Sequence, residues 1–122
     1  MSDARGFTAG DLLVFQVESG FAMMRLLGVE PDGSVDTIWH LAVYRDMYLD
    51  VDAADLAASD TSKLQINLGH VALTNRAFDS TQVSKLGNVP LLDHELRDYQ
   101  RWLADTARPI EDRSIRLILG LR

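Results

Sequence analysis

Residues 11–44 read DLLVFQVESGFAMMRLLGVEPDGSVDTIWHLAVY, and the spacing of their apolar side chains decides the fold. Leu13, Phe15 and Val17 alternate with Leu12, Val14 and Gln16, the period of two that belongs to a β-strand. Ser19-Gly20 supplies a two-residue reversal, and Phe21 to Val29 returns as a second strand. Arg25 interrupts its apolar series; its stem is expected to pack while its head reaches water or a carboxylate. Pro31-Asp32-Gly33 marks the next turn: proline sets φ, aspartate bonds the backbone ahead of it, and glycine accepts a left-handed geometry. Val35 to Tyr44 is then a third strand, with Trp39, Leu41 and Val43 on one face and Ile38, His40, Ala42 and Tyr44 on the other. Parallel crossovers need about a dozen or more connecting residues, so these short turns make an antiparallel meander.

Downstream the pattern changes. Asp52-Ala-Ala-Asp-Leu-Ala-Ala-Ser predicts a short inserted helix, capped by Asp52 and held to the core by Leu56. Lys63 to Thr74 returns to alternation through Leu64, Ile66 and Leu68, bends at Gly69, and continues with Val71 and Leu73. Between Asn75 and Asn88 the signals are mixed, with a short strand near Thr81 to Leu86. Pro90 to Ala107 predicts an amphipathic helix, since Leu92, Leu96, Tyr99 and Leu103 share a stripe beside Trp102, with Asp93 as its cap. Arg108-Pro109 ends it. Ser114 to Leu119 alternates once more and is expected to be a terminal strand closing the sheet against the first. The expected fold is mainly β: a bent antiparallel sheet of five to six strands, an SH3-like partly open barrel, with one C-terminal amphipathic helix and the short inserted one.

A chain of 122 residues, 47% hydrophobic and 25% charged, suits a single domain, 1–122, with one core. Its apolar runs are far shorter than the roughly 20 residues of a bilayer crossing, so no membrane role is expected. The start, Met-Ser-Asp-Ala-Arg-Gly, has no apolar signal core, which makes the cytoplasm the expected compartment. With no cysteine, disulfides, thiolate nucleophiles and sulfur-based zinc sites are excluded.

Charge is unevenly placed. Between Gly28 and Ser62 stand eight carboxylates, Glu30, Asp32, Asp36, Asp46, Asp50, Asp52, Asp55 and Asp60, against Arg45 alone, a local charge of −7 in a chain of net −6. Such a region suits a cationic partner and disfavours nucleic acid, whose affinity comes largely from clustered Lys and Arg. Asp50-Val-Asp52-Ala-Ala-Asp55 fails as a calcium loop, because Asp55 and Thr61 stand where glycine and glutamate are needed. His94 has Asp98, not histidine, four residues on, so the helical two-histidine zinc motif is missing. No Gly-x-Ser-x-Gly elbow and no glycine-rich phosphate loop occurs. Neither a metal nor a cofactor is expected, and no enzymatic activity. His40, beside Trp39, reads as a hydrogen-bonded core residue, His70 as more exposed after the Gly69 bend, and both tryptophans as core. Where the third strand runs into the acidic connection, Tyr44, Asp46, Met47, Tyr48, Asp50, Asp52 and Asp55 combine aromatic and apolar groups with carboxylates, the composition of a protein-binding hot spot.

Gly10-Asp11-Leu12-Leu13-Val14-Phe15, the hairpin, and Phe21-Ala22-Met23-Met24-Arg25-Leu26-Leu27 together resemble the start of small SH3-like-barrel immunity proteins of bacterial polymorphic toxin systems. Gly69-His70-Val71-Ala72-Leu73-Thr74 is similar to their middle, and the likeness spans about a third of the chain. It implies a non-enzymatic inhibitor of a basic toxin and carries over no functional residue. The expected function is thus an acidic protein-binding module, monomeric or weakly dimeric. Two other readings stand beside it: a structural or adaptor subunit that self-associates through a sheet edge or the Trp102 helix, and a small-molecule-binding protein or enzyme using His40, His70 or Tyr48.

Overall fold

The structure, a computed structural model, describes residues 6–31 and 37–120, with Pro31 described by its backbone alone. The strands are β1 (Asp11–Val17), β2 (Gly20–Pro31), β3 (Thr37–Tyr48), β4 (Ile66–Thr74) and β5 (Val83–Asn88). They form one open antiparallel sheet in the order β4-β3-β2-β1-β5. The expected antiparallel meander is present. Its first reversal falls on Glu18 and Ser19, with Val17 opposite Gly20. Glycine is needed at position 20 because a Cβ there would collide with the Tyr48 carbonyl oxygen of β3. The expected turn at Asp32-Gly33 and the strand start at Val35 lie outside the described residues. Register shifts between Ala22 and Met24, Leu26 and Gly28, and Leu41 and Val43 bend the sheet toward a partly open barrel.

Both faces of the sheet are covered. On one, Leu13, Phe15, Met24, Leu26, Trp39, Leu41 and Val43 build the main core. It is closed by helix α2 (Asn75–Asp79), through Ala77 and Phe78, and by α4 (Ile115–Ile118), through Ile115. Trp39 stacks on Phe78 at 3.9 Å between centroids. On the other face Leu12, Met23 and Tyr44 pack with Ala58 of helix α1 (Val51–Ala58), and helix α3 (Arg97–Ala104) lies over His40 through Tyr99 and Trp102. The β3 alternation expected from the sequence, Trp39, Leu41 and Val43 against His40, Ala42 and Tyr44, is the one that separates these two layers.

Four expectations are corrected. The terminal strand is helix α4: Ser114 Oγ accepts from the Leu117 amide, Ile115 is buried, and Leu117 is 65% exposed. The spacing of Ile115, Ile118 and Leu119, which are buried or half-buried, is helical, and the place beside β1 is held by β5. Helix α1 is capped by Asp50, whose carboxylate accepts from the Ala53 amide at 2.8 Å, so Asp52 sits inside the first turn. Leu56 does not dock. Ala54 and Ala58 face the sheet, which turns Leu56 about 200° round the axis from Ala54 and leaves it 76% exposed. The Pro90 to Ala107 helix is shorter: a 3₁₀ turn (Asp93–Leu96) capped at Leu92 leads into α3, and Leu92 and Leu103 are exposed while Leu96, Tyr99 and Trp102 face inward. The single helix expected in addition to the inserted one is therefore joined, among the described residues, by α2 and α4. None of these helices is long and apolar enough to cross a membrane.

Candidate functional site

The segment from Asp46 to Asp60 joins β3 to β4 by way of α1, and its sequence fixes what each carboxylate does. Alternation along β3 sends Asp46 and Tyr48 to the same side and Met47 to the opposite one. Leu49 and Asp50 make the link into α1, and Leu49 is 87% exposed. The helix packs closely because the residues it buries are alanines, so its outer stripe carries Asp52, Asp55 and Leu56 at helical spacing. A shallow depression of about 380 Å³ lies beside this stripe, lined by Asp46, Tyr48, Leu56, Asp60, Lys63 and Leu64, among others. Leu56 thus shares this depression with Asp46, Asp60 and Lys63, and Asp52 and Asp55 are its exposed neighbours at i−4 and i−1 on α1.

Asp46, Asp52 and Asp55 are exposed and form no ion pair among the described residues. Asp50 is held by the cap, and Asp60 accepts from the Ser62 hydroxyl and amide, which hold its carboxyl below the usual carboxylate range. Arg45, the only cation of the acidic stretch, donates to Gln65 at 2.8 Å and neutralises none of these carboxylates. Lys63 is 3.9 Å from Asp60, an exposed contact worth little. Burial, and after it the Asp46 carboxylate, push the Tyr48 hydroxyl up, so it remains a neutral donor.

The residues expected to bind a partner are therefore divided. Asp46 and Tyr48 line the same depression as Leu56, the residue expected to dock on the core, while Asp52 and Asp55 stand on the exposed side of α1 outside that lining. Asp50 serves the helix terminus, and Met47, 47% exposed, leaves the opposite face of β3. Tyr44 is 5% exposed, and its hydroxyl accepts from Arg25 at 3.2 Å, which takes it off this surface altogether. Glu30 belongs elsewhere, and Asp32 and Asp36 lie outside the described residues.

Glu30 belongs to a second cluster, under α3. His40 Nε2 is 3.0 Å from a Glu30 carboxylate oxygen, and His40 Nδ1 is 3.0 Å from His70 Nε2. A carboxylate only accepts, which assigns the proton of neutral His40 to Nε2 and makes its Nδ1 the acceptor of His70 Nε2–H. Tyr99 stacks on His40 at 4.2 Å, and the Trp102 edge closes the group. Burial lowers the His40 pKa against the opposing pull of Glu30. Burial and the neighbouring His40 push His70 down to about 4, against Asp98. The hydrogen bonds that run from Glu30 through His40 to His70 tie β2, β3 and β4 together. His40 is the hydrogen-bonded core residue expected, while His70 is half-buried instead of exposed. Among the described residues no three His, Asp or Glu side chains group in a way that could hold a metal ion.

Arg25 is the third polar focus, 1% exposed. Its head reaches a carboxylate as expected, Glu95 at 2.8 Å, and is fully withdrawn from water. Comparison with known proteins matches this chain to no family model, no curated protein and no solved structure.

Proposed function

We propose that the protein is a non-enzymatic binding module that docks a basic protein on the acidic face around α1. The observation that carries this reading is the inside-out helix: α1 buries alanines and holds Leu56 out in water among Asp46, Asp52, Asp55 and Asp60. Folding makes no use of a leucine so placed. An exposed apolar side chain on a surface where carboxylates outnumber the single lysine, Lys63, gives a partner an anchor to desolvate and a field that steers a cationic surface toward it. A basic toxin, as the resemblance to immunity proteins implies, has the required chemistry.

The test is association kinetics with the partner purified from the native cell, measured across ionic strength. The association rate should fall as salt rises, and fall again when Asp46, Asp52 and Asp55 are together changed to asparagine. An association rate indifferent to both would reject the reading.

A further inference from the structure

Helix α3 is held to the sheet by two aromatic rings. Of its eight residues only Trp102 is buried, and so short a helix persists in water only through its packing. Tyr99 stacks on His40 at 4.2 Å and on His70 at 5.4 Å, and the Trp102 ring stands 4.8 Å from His40 and 5.7 Å from His70. Gly28 and Gly69 permit this approach, since a Cβ on either would press on Tyr99 or Asp98. The floor beneath α3 is therefore the imidazole pair.

The chain is fastened more firmly on both sides of the helix. Ahead of it, Glu95 is bound to the buried Arg25 at 2.8 Å. Beyond it, Glu111 joins the β4 edge, its amide donating to the Ala72 carbonyl at 2.8 Å and its carbonyl accepting from the Thr74 amide at 3.0 Å. Lifting the segment between these anchors leaves the strand pairing and both anchors intact.

The pair tolerates one proton but not two. His40 donates Nε2–H to Glu30 and accepts at Nδ1 from His70, so a first proton goes to His70 Nδ1 and leaves both hydrogen bonds in place. A second has only His40 Nδ1 to go to, where two N–H groups would face each other across 3.0 Å. The surroundings do not neutralise two imidazolium charges. Glu30 of β2 and Asp98 of α3 are the carboxylates that face the pair, and Tyr99 is neutral. Asp98 is already bound to Arg101 at 3.1 Å, and Arg108 lies over Trp102 at 5.9 Å.

We propose that α3 is a pH-gated flap, pivoting at Leu96 between the Glu95 anchor and the helix, which lifts from the sheet as the His40 and His70 pair takes up protons. Lifting admits water to both imidazolium rings and relieves the facing N–H groups. It also withdraws Arg97, Asp98 and Arg101 from the wall of a cleft of about 390 Å³ that reaches Leu27, Ala42 and Tyr44, so acid uncovers that part of the sheet. Burial, and for His70 the neighbouring His40, keep both imidazoles below the ordinary pKa of 6.5, His70 at about 4, so opening is the step that binds protons.

Hydrogen exchange on the full chain, read amide by amide as protection relative to the unfolded-chain rate at each pH, tests this. The Trp102 and Leu103 amides should be less protected throughout than those of Leu13 and Leu26 in the sheet, and their protection should fall by roughly tenfold from pH 6 to pH 5. His70→Gln keeps a side-chain donor for His40 and removes one titrating ring, so it should fold and make that fall markedly smaller. Protection at Trp102 equal to that of the sheet would mean that α3 opens only when the whole domain unfolds. Protection that is constant with pH, or that falls as steeply in His70→Gln, would mean that the histidines do not gate the helix. Any of these results overturns the proposal.

Discussion

Arg25 Nη1 donates to Glu95 Oε2 at 2.8 Å, joining the middle of β2 to the turn that opens into α3 across seventy residues of chain. The other donors of Arg25 go to the Gly10, Val89 and Pro90 carbonyls and to the Tyr44 hydroxyl, so all five N–H groups are used. Glu95 uses its second oxygen to accept from the Leu92 amide.

Breaking this junction from one side should be expensive. Arg25→Ala leaves a carboxylate and three carbonyls facing a void, and the expected loss is about 3–5 kcal/mol. Lysine cannot reproduce the fork, so Arg25→Lys should recover little of it. Glu95→Gln keeps the shape and should cost less than either change at Arg25. Urea unfolding of the three variants checks the order.

The two sides of α1 should respond oppositely to substitution. Ala54→Leu forces bulk against the sheet and is expected to destabilise by about 1–3 kcal/mol. Leu56→Ser, at a site 76% exposed, should leave stability within about 0.5 kcal/mol and remove the proposed anchor. Thermal unfolding separates these outcomes, and a large loss in Leu56→Ser would show that Leu56 packs after all.

Carboxylates with structural duties should part from those without. Asp50→Ala removes the cap and should cost about 0.5–2 kcal/mol. Asp52→Asn with Asp55→Asn should leave the unfolding midpoint nearly unchanged while lowering the association rate.

The pH dependence follows from the histidine pair. The folded-state pKa of His70 is about 4 against an ordinary value of 6.5, and that of His40 is lowered as well. The unfolded chain therefore binds protons first as pH falls, so stability should be greatest above about pH 6.5 and decline toward pH 4. Glu30 and Asp98, the carboxylates facing the pair, oppose the shift and temper the slope. His70→Gln should flatten the urea midpoint between pH 7 and 4; an equally steep profile would assign the acid sensitivity to other groups.

The meander was legible because its determinants are local. Alternation places Trp39 and His40 on opposite faces, and Ser19-Gly20 announces a reversal, whatever the rest of the chain does. Helix α4 was not legible, because Ile115-Arg116-Leu117-Ile118-Leu119 is a short apolar run that suits a strand or a helix, and β5 had already taken the edge beside β1. The orientation of α1 was hidden for a related reason. Hydrophobicity puts Leu56 inward, but the narrow gap above Leu12, Met23 and Tyr44 admits alanine, and only the assembled sheet defines that gap. By itself, then, the sequence determined strand periodicity, turn chemistry, the antiparallel sense and the concentration of negative charge, all properties of neighbours along the chain. Tertiary structure alone decided that Arg25 meets Glu95, that His40 meets His70 and Glu30, and that Leu56 rather than Tyr44 faces outward among the carboxylates. Those outcomes depend on which distant surfaces close on one another, and burial changes what a charge or an imidazole can do only after they have closed.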